Sequence, residues 1–140
     1  PKWIQIISFS YSVEQKSGGY AEDSEPIYGH VNISDINVKK HVDASSPDLH
    51  KACITGQRIK TANLELCQTS KDKHPYMKYN LTDVVVSAVR PSGEGGGENA
   101  FPTEDISLRF AKIEWEYTPL SEKGRPQAAR RASWDMKATK

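Results

Sequence analysis

A chain of 140 residues that is 36% hydrophobic has the size of one ordinary domain and enough apolar material for one core. Nineteen Lys and Arg against 18 Asp and Glu leave a formal charge of +1, which offers no electrostatic footprint for nucleic acid or an anionic membrane. No apolar run approaches the roughly 18 residues of a membrane helix, and Pro1 to Val13 has neither the basic start nor the apolar stretch of a signal peptide.

Read in chain order, period-two segments are separated by turn chemistry, with one helix among them. The chain opens on Pro1 inside a strand-like pattern, so its true N-terminus is expected upstream. From Ile7 to Val13 the alternation predicts a strand with Ile7, Phe9, Tyr11 and Val13 inward and Ser8, Ser10 and Ser12 on a wet face. Glu14 to Pro26 contains Gly18, Gly19, Glu22, Asp23 and Glu25 without apolar period and reads as a long loop. The strand Tyr28 to Val42 changes phase, because Val31 and Ile33 are odd-numbered and Ile36, Val38 and Val42 even; a bulge near Asp35 accounts for that.

Ser46 reads as a helix N-cap, with Pro47 at the first helical position, Asp48 at the positive end of the dipole and Gly56 as the stop. Leu49, Ala52 and Cys53 give that short helix a narrow apolar stripe. A strand around Ile59 to Gln68 follows, with Ala62, Leu64 and Leu66 inward, then a turn over Ser70 to Pro75. In the strand Tyr76 to Arg90, Met77, Tyr79 and Leu81 share a face, Asp83 interrupts it, and Val84, Val85 and Val86 are apolar on both sides. After the Gly-rich acidic loop Pro91 to Asn99 comes the longest strand, Glu104 to Pro119. Its inward set passes from Ile106, Leu108 and Phe110 to Ala111, Ile113, Trp115 and Tyr117, so the strand bends near Phe110, as barrel strands do at corners. Leu120 to Gln127 is a polar linker into a last segment around Trp134 and Met136.

Chemistry-bearing motifs are sparse. Gly93, Gly95, Gly96 and Gly97 lack the Lys-Ser/Thr pair and following helix of a phosphate cradle. His30, His41, His50 and His74 show no metal spacing, and no cofactor or metal is implied. The sequons at Asn32 and Asn80 fall within predicted strands, Arg130 and Arg131 read as solvated tail residues, and no His is placed beside Ser8, Ser10 or Ser12 to activate a nucleophile. Cys53 and Cys67 are read as buried free thiols. The residues predict a mainly β protein with one short helix, a single domain over residues 1–140 whose long kinked strand suits a barrel.

The order WIQIISFSYSV, VNISDINVKKHVDASSPDLHKACITG, ANLELC, YNLTDVVVSAV, a Gly-rich loop, EDISLRFAKIEWEYTP and a terminal Trp134-Asp135 closely resembles the haemolysin-coregulated protein (Hcp) family of bacterial type VI secretion systems. Its most specific parts are Lys39 to Gly56 and the kinked strand ending Tyr117-Thr118-Pro119. The family's opening strand has no counterpart after Pro1, and Ser133 stands where a Gly usually precedes the terminal Trp. The resemblance implies an antiparallel β-barrel of two packed sheets with one short flanking helix. It implies hexameric rings that stack into a hollow tube within a contractile sheath, capped by a spike and starting from a baseplate. It also implies residence in the cytoplasm before firing, export by the machine, and small effector proteins held in the lumen. It sets Ser8, Ser10 and Ser12 on the lumen wall and makes Gly18, Gly19, Glu22, Asp23 and Glu25 part of a ring-stacking loop. The alternative is a monomeric or dimeric β-barrel module binding carbohydrate or peptide through Trp3, Trp115 or Trp134, of which Trp3 and Trp115 sit on faces that look like core. An enzyme ranks third, for want of a convergent acid, base or metal set.

Overall fold

Alternating apolar residues build strands wherever one face can be buried, and that pattern accounts for most of this architecture. The computed structural model describes residues 3–15, 31–67, 74–93, 95, 101–119 and 127–136. Their elements are β1 (Ser8–Ser10), β2 (Val13–Gln15), β3 (Val31–Ile33), β4 (Ile36–His41), α1 (Ser46–Thr55), β5 (Arg58–Cys67), β6 (Pro75–Ser92), β7 (Thr103–Tyr117) and β8 (Arg130–Asp135). The fold is mainly β with antiparallel pairing and one short helix, as the alternation predicts; no pairing among the described strands closes a sheet on itself.

The residues group into two compact units. The first takes the chain through Arg58 together with Val85–Arg109, and contains β1, β2, β3, β4 and α1 with the second part of β6 and the first part of β7. Its sheet runs in the order β1-β4-β7-β6, beside the β2-β3 ladder. Ile33, Ile36, Val38, Val86 and Ile106 are its buried apolar side chains, joined by Ala52 of the helix. The second unit takes Ile59–Val84 and the chain from Phe110, ordered β5-β6-β7-β8, with Tyr79, Leu81, Val84, Phe110 and Ile113 buried. There Thr118 N–H donates to Tyr76 O (2.8 Å), and Trp134 of β8 lies opposite Ile113 of β7.

The predicted bulge near Asp35 is visible in the register. Two residues, Tyr11 and Ser12, separate Ser10 from Val13, but three, Ser34, Asp35 and Ile36, separate their partners Ile33 and Asn37. The extra residue turns the buried set from odd to even numbers, and Ser34 secures the join. Its Oγ accepts from Ser12 N–H at 2.8 Å and its own N–H donates to Ser12 O at 3.0 Å. The same break divides the predicted Ile7 to Val13 strand into β1 and β2, and Ile7 and Val13 are about half exposed rather than inward. Val42, beyond the end of β4, is exposed as well.

In β7 the inward positions pass from Glu104, Ile106 and Phe110 to Ile113, the predicted change near Phe110, with Ser107 buried on the other face and Tyr117 exposed at the strand's end. In β6 they pass from Tyr79 and Leu81 to Val84 and Val86 across Asp83, which has φ +56°. Ala62, Leu64 and Leu66 are half-buried in β5. Cys53 is half-buried and Cys67, at the end of β5, is exposed, so the expected burial of both thiols does not hold; both are free. Trp3 precedes the first strand and is exposed rather than core, while Trp115 is half-buried.

Candidate functional surface

Residues directly opposite each other in an antiparallel pair project to the same face, so the register of the first unit assembles a polar surface from three strands. Ser8 and Ser10 of β1 face Lys39 and Asn37 of β4, which in turn face Asp105 and Ser107 of β7. Ser8, Ser10, Asn37 and Lys39 are all exposed. Phe9, Val38 and Ile106, between them in sequence, belong to the opposite, apolar face. Ser12 is exposed too, past the end of β1.

A hydrogen-bond chain ties this surface together. Ser107 Oγ donates to Asn37 Oδ1 (2.5 Å) and accepts from Arg90 Nη1 (3.3 Å). Ser87 Oγ lies 2.7 Å from Asp35 Oδ2 and 3.2 Å from Ser107 O, and Arg109 Nε approaches Asp35 Oδ1 at 3.5 Å. The bulge thus delivers the Asp35 carboxylate to two strands at once, β6 and β7. The Arg109 pair is largely exposed and contributes at most about 1 kcal/mol.

Beneath the apolar face, Lys40 continues the inward series Ile36, Val38, and buries an ammonium. Its Nζ donates to Glu104 Oε2 (2.6 Å), Asp43 Oδ1 (2.9 Å) and His41 O (2.9 Å), with Ser46 Oγ at 3.4 Å. Ser46 Oγ donates to the same Glu104 oxygen (2.7 Å) and accepts from Asp43 N–H (3.0 Å). The predicted cap at Ser46 is therefore corrected. The N-cap is Ser45, without a side-chain capping bond, because the Ser46 hydroxyl is drawn to the buried carboxylate; Asp43 Oδ1 holds Ser45 instead. Pro47 accordingly moves from the expected first to the second helical position, while the left-handed Gly56 (φ +65°) ends the 10-residue helix as expected.

This clasp joins the start of α1 to β4 and β7. Burial alone pushes the Lys40 ammonium down, but the hydrogen bonds and charges of Glu104 and Asp43 together raise it above its ordinary value. Burial likewise pushes the Glu104 carboxyl up, and the bonds from Lys40 and Ser46 outweigh it and hold the group low. The Ser45 hydroxyl, then Lys40, bring Asp43 down to about 2.

The structure brings Ser8 and Ser10 together with Asn37, Lys39, Asp105 and Ser107, partners the sequence reading did not single out. Gly18, Gly19, Glu22, Asp23 and Glu25 lie outside the described residues. Among the described residues no group of three His, Cys, Asp or Glu could hold a metal ion, and no helix is long and apolar enough to cross a membrane. Parity is the signal the clasp leaves in the sequence, since Lys40 falls in phase with Ile36 and Val38, and Glu104 with Ile106.

Comparison with known proteins decides the family. Residues 1–117 match the family model described as type VI secretion system effector, Hcp. The chain belongs to the Hcp family. Protein hcp1 of Pseudomonas aeruginosa is 32% identical over 95 residues, which are 67% of this chain and 57% of that protein, so the match spans little more than half of the relative's length. A solved structure of a type six secretion system protein superposes with a TM-score of 0.88 at 27% identity, covering 99% of this chain and 86% of that one. Hcp1 from Salmonella typhimurium gives 0.75 at 29% identity, covering 98% and 83%. The likeness thus extends over almost all of this Hcp-family chain, β8 included.

Proposed function

We propose that this chain is the tube subunit of a type VI secretion system, forming hexameric rings that stack into a hollow, exported tube. The observation that carries the reading is the match to the Hcp family model over residues 1–117, with a TM-score of 0.88 to a type six secretion system protein over 99% of the chain. A second feature supports it: Trp3, Ile4 and Ile7 are large apolar side chains left exposed on one short N-terminal segment, material for burial against a neighbouring subunit. Ser8, Ser10 and Ser12 line the lumen in this reading, where small effector proteins travel, and Gly18, Gly19, Glu22, Asp23 and Glu25 belong to the contact with the next ring. Sheath, spike and baseplate are the partners outside it, and the subunit is cytoplasmic until the machine fires. Its role is structural rather than enzymatic. Light scattering on the full-length protein across a dilution series tests the proposal. A mass of six subunits that persists at micromolar concentration is expected, since an obligate ring contact buries well over about 1,000 Å². A mass of one or two subunits overturns it in favour of a monomeric or dimeric binding module.

A further inference from the structure

On the polar face of the first unit the Asn37, Ser107 and Asp35 acceptors are engaged, while several donors are free. Asn37 Oδ1 is taken by Ser107, the Ser107 hydroxyl is also occupied by Arg90, and the two Asp35 oxygens face Ser87 and Arg109. Among the described residues, Asn37 Nδ2, the remaining N–H groups of Arg90 and the Lys39 ammonium have no hydrogen-bond acceptor. Ser8 and Ser10, directly across from Lys39 and Asn37, can serve in either sense. The one carboxylate left open is Asp105, opposite Lys39, and an exposed pair of that kind offsets little of the lysine's attraction. Three cations, Lys39, Arg90 and Arg109, stand on this face against two carboxylates, Asp35 and Asp105.

We infer that this face binds an acidic polypeptide segment, whose carboxylates accept from Asn37 Nδ2, Arg90 and Lys39 with the Ser8 and Ser10 hydroxyls alongside. Carboxylates are recognised by a few directed donors at close range, and bonds to a charged partner are the strong ones. Nucleic acid demands a row of cations along its phosphates, which three cations beside two carboxylates do not provide. The donors are also held in place in advance: Ser107, itself buried, fixes both Asn37 and Arg90, so little side-chain freedom is lost on binding. The inference rests on the tube reading only for where the segment lies, along the lumen; the binding itself needs one subunit.

The test is fluorescence anisotropy of the full-length protein with a fluorescein-labelled Glu-Gly repeat peptide, beside a Lys-Gly repeat and a short single-stranded DNA. Saturable binding of the acidic peptide alone is expected, weakened at least about tenfold by Lys39→Gln combined with Arg90→Gln. Lys39→Gln by itself, at an exposed position that cannot disturb folding, is expected to weaken it severalfold. Equal binding of the Lys-Gly peptide, tighter binding of the DNA, or undiminished affinity in both variants overturns the inference. Ring mass is read by light scattering on the same samples, so loss of the assembly and loss of the peptide site are told apart.

Discussion

Replacing Lys40 by Met is the sharpest test of what holds α1 to the sheet. Lys40 and Glu104 are each 1% exposed, and removing the ammonium leaves Glu104 with the Ser46 hydroxyl alone, its Oε1 already without a partner among the described residues. A buried carboxylate stripped of its counter-ion costs about 3–5 kcal/mol, a large part of a domain's usual 5–15 kcal/mol. Changing both residues, Lys40→Met with Glu104→Leu, removes the stranded charge and is expected to recover most of that loss. Urea denaturation followed by circular dichroism measures both, at fixed protein concentration because assembly shifts apparent stability. In the single variant the stranded carboxyl responds by binding a proton, so the loss is smaller at pH 5 than at pH 7. In the unchanged protein Glu104 and Asp43 lie below their ordinary values of 4.5 and 3.8, so their contribution is present above those values. It is lost as the pH falls through the folded values, about 2 for Asp43. Lys40 is raised, so its contribution is full below 10.5 and lost in stronger alkali. A cost below about 1 kcal/mol for Lys40→Met, the size of an exposed pair, refutes the buried clasp.

Gly56→Ala is expected to cost about 1 kcal/mol in urea melts, entirely from the left-handed φ of +65°, because no heavy atom lies within 4 Å of the added Cβ; no measurable change would mean that the helix stops by another device. Ser10→Gln is expected to leave circular dichroism and ring mass unchanged, since the position is exposed, while lowering co-purification of a lumen-bound effector; an unfolded or ringless variant counts against the lumen assignment. Deleting Ser17 to Ser24 is expected to preserve rings and abolish stacked tubes in electron micrographs. Rings that fall apart would assign that segment to the lateral contact.

Sequence alternation exposed the features that one strand carries by itself. The bulge at Asp35 and the bend at Phe110 are each a change of parity among apolar residues, and such a change has few causes. Parity was less reliable at strand ends, where Ile7, Val13, Val42 and Tyr117 share the inward phase yet are about half exposed. The cap at Ser46 was misplaced by one residue because a capping hydroxyl and a hydroxyl recruited by a distant carboxylate look alike in sequence; Glu104 is 58 residues away. Lys40 was legible in principle, but a lysine in phase with Ile36 and Val38 reads as solvated unless its partner is known. The polar face was half legible. Ser8 and Ser10 announce it, whereas Asn37, Ser87, Arg90 and Ser107 join it only through cross-strand register, which local pattern does not encode.

The two phase changes carry one further consequence. Buried apolar parity passes from odd to even across Asp83 in β6 and from even to odd beyond Phe110 in β7. In each strand, therefore, the buried apolar side chains change face once. A straight strand could not do so, because a side-chain period of two keeps every second residue on one side along its whole length. Asp83 meets the requirement by taking φ +56°, a conformation that costs a non-glycine residue about 1 kcal/mol or more and persists only where its surroundings enforce it. The kinked pattern in EDISLRFAKIEWEYTP is thus the sequence trace of a change of face that β6 makes too, at a residue whose polarity had marked the spot.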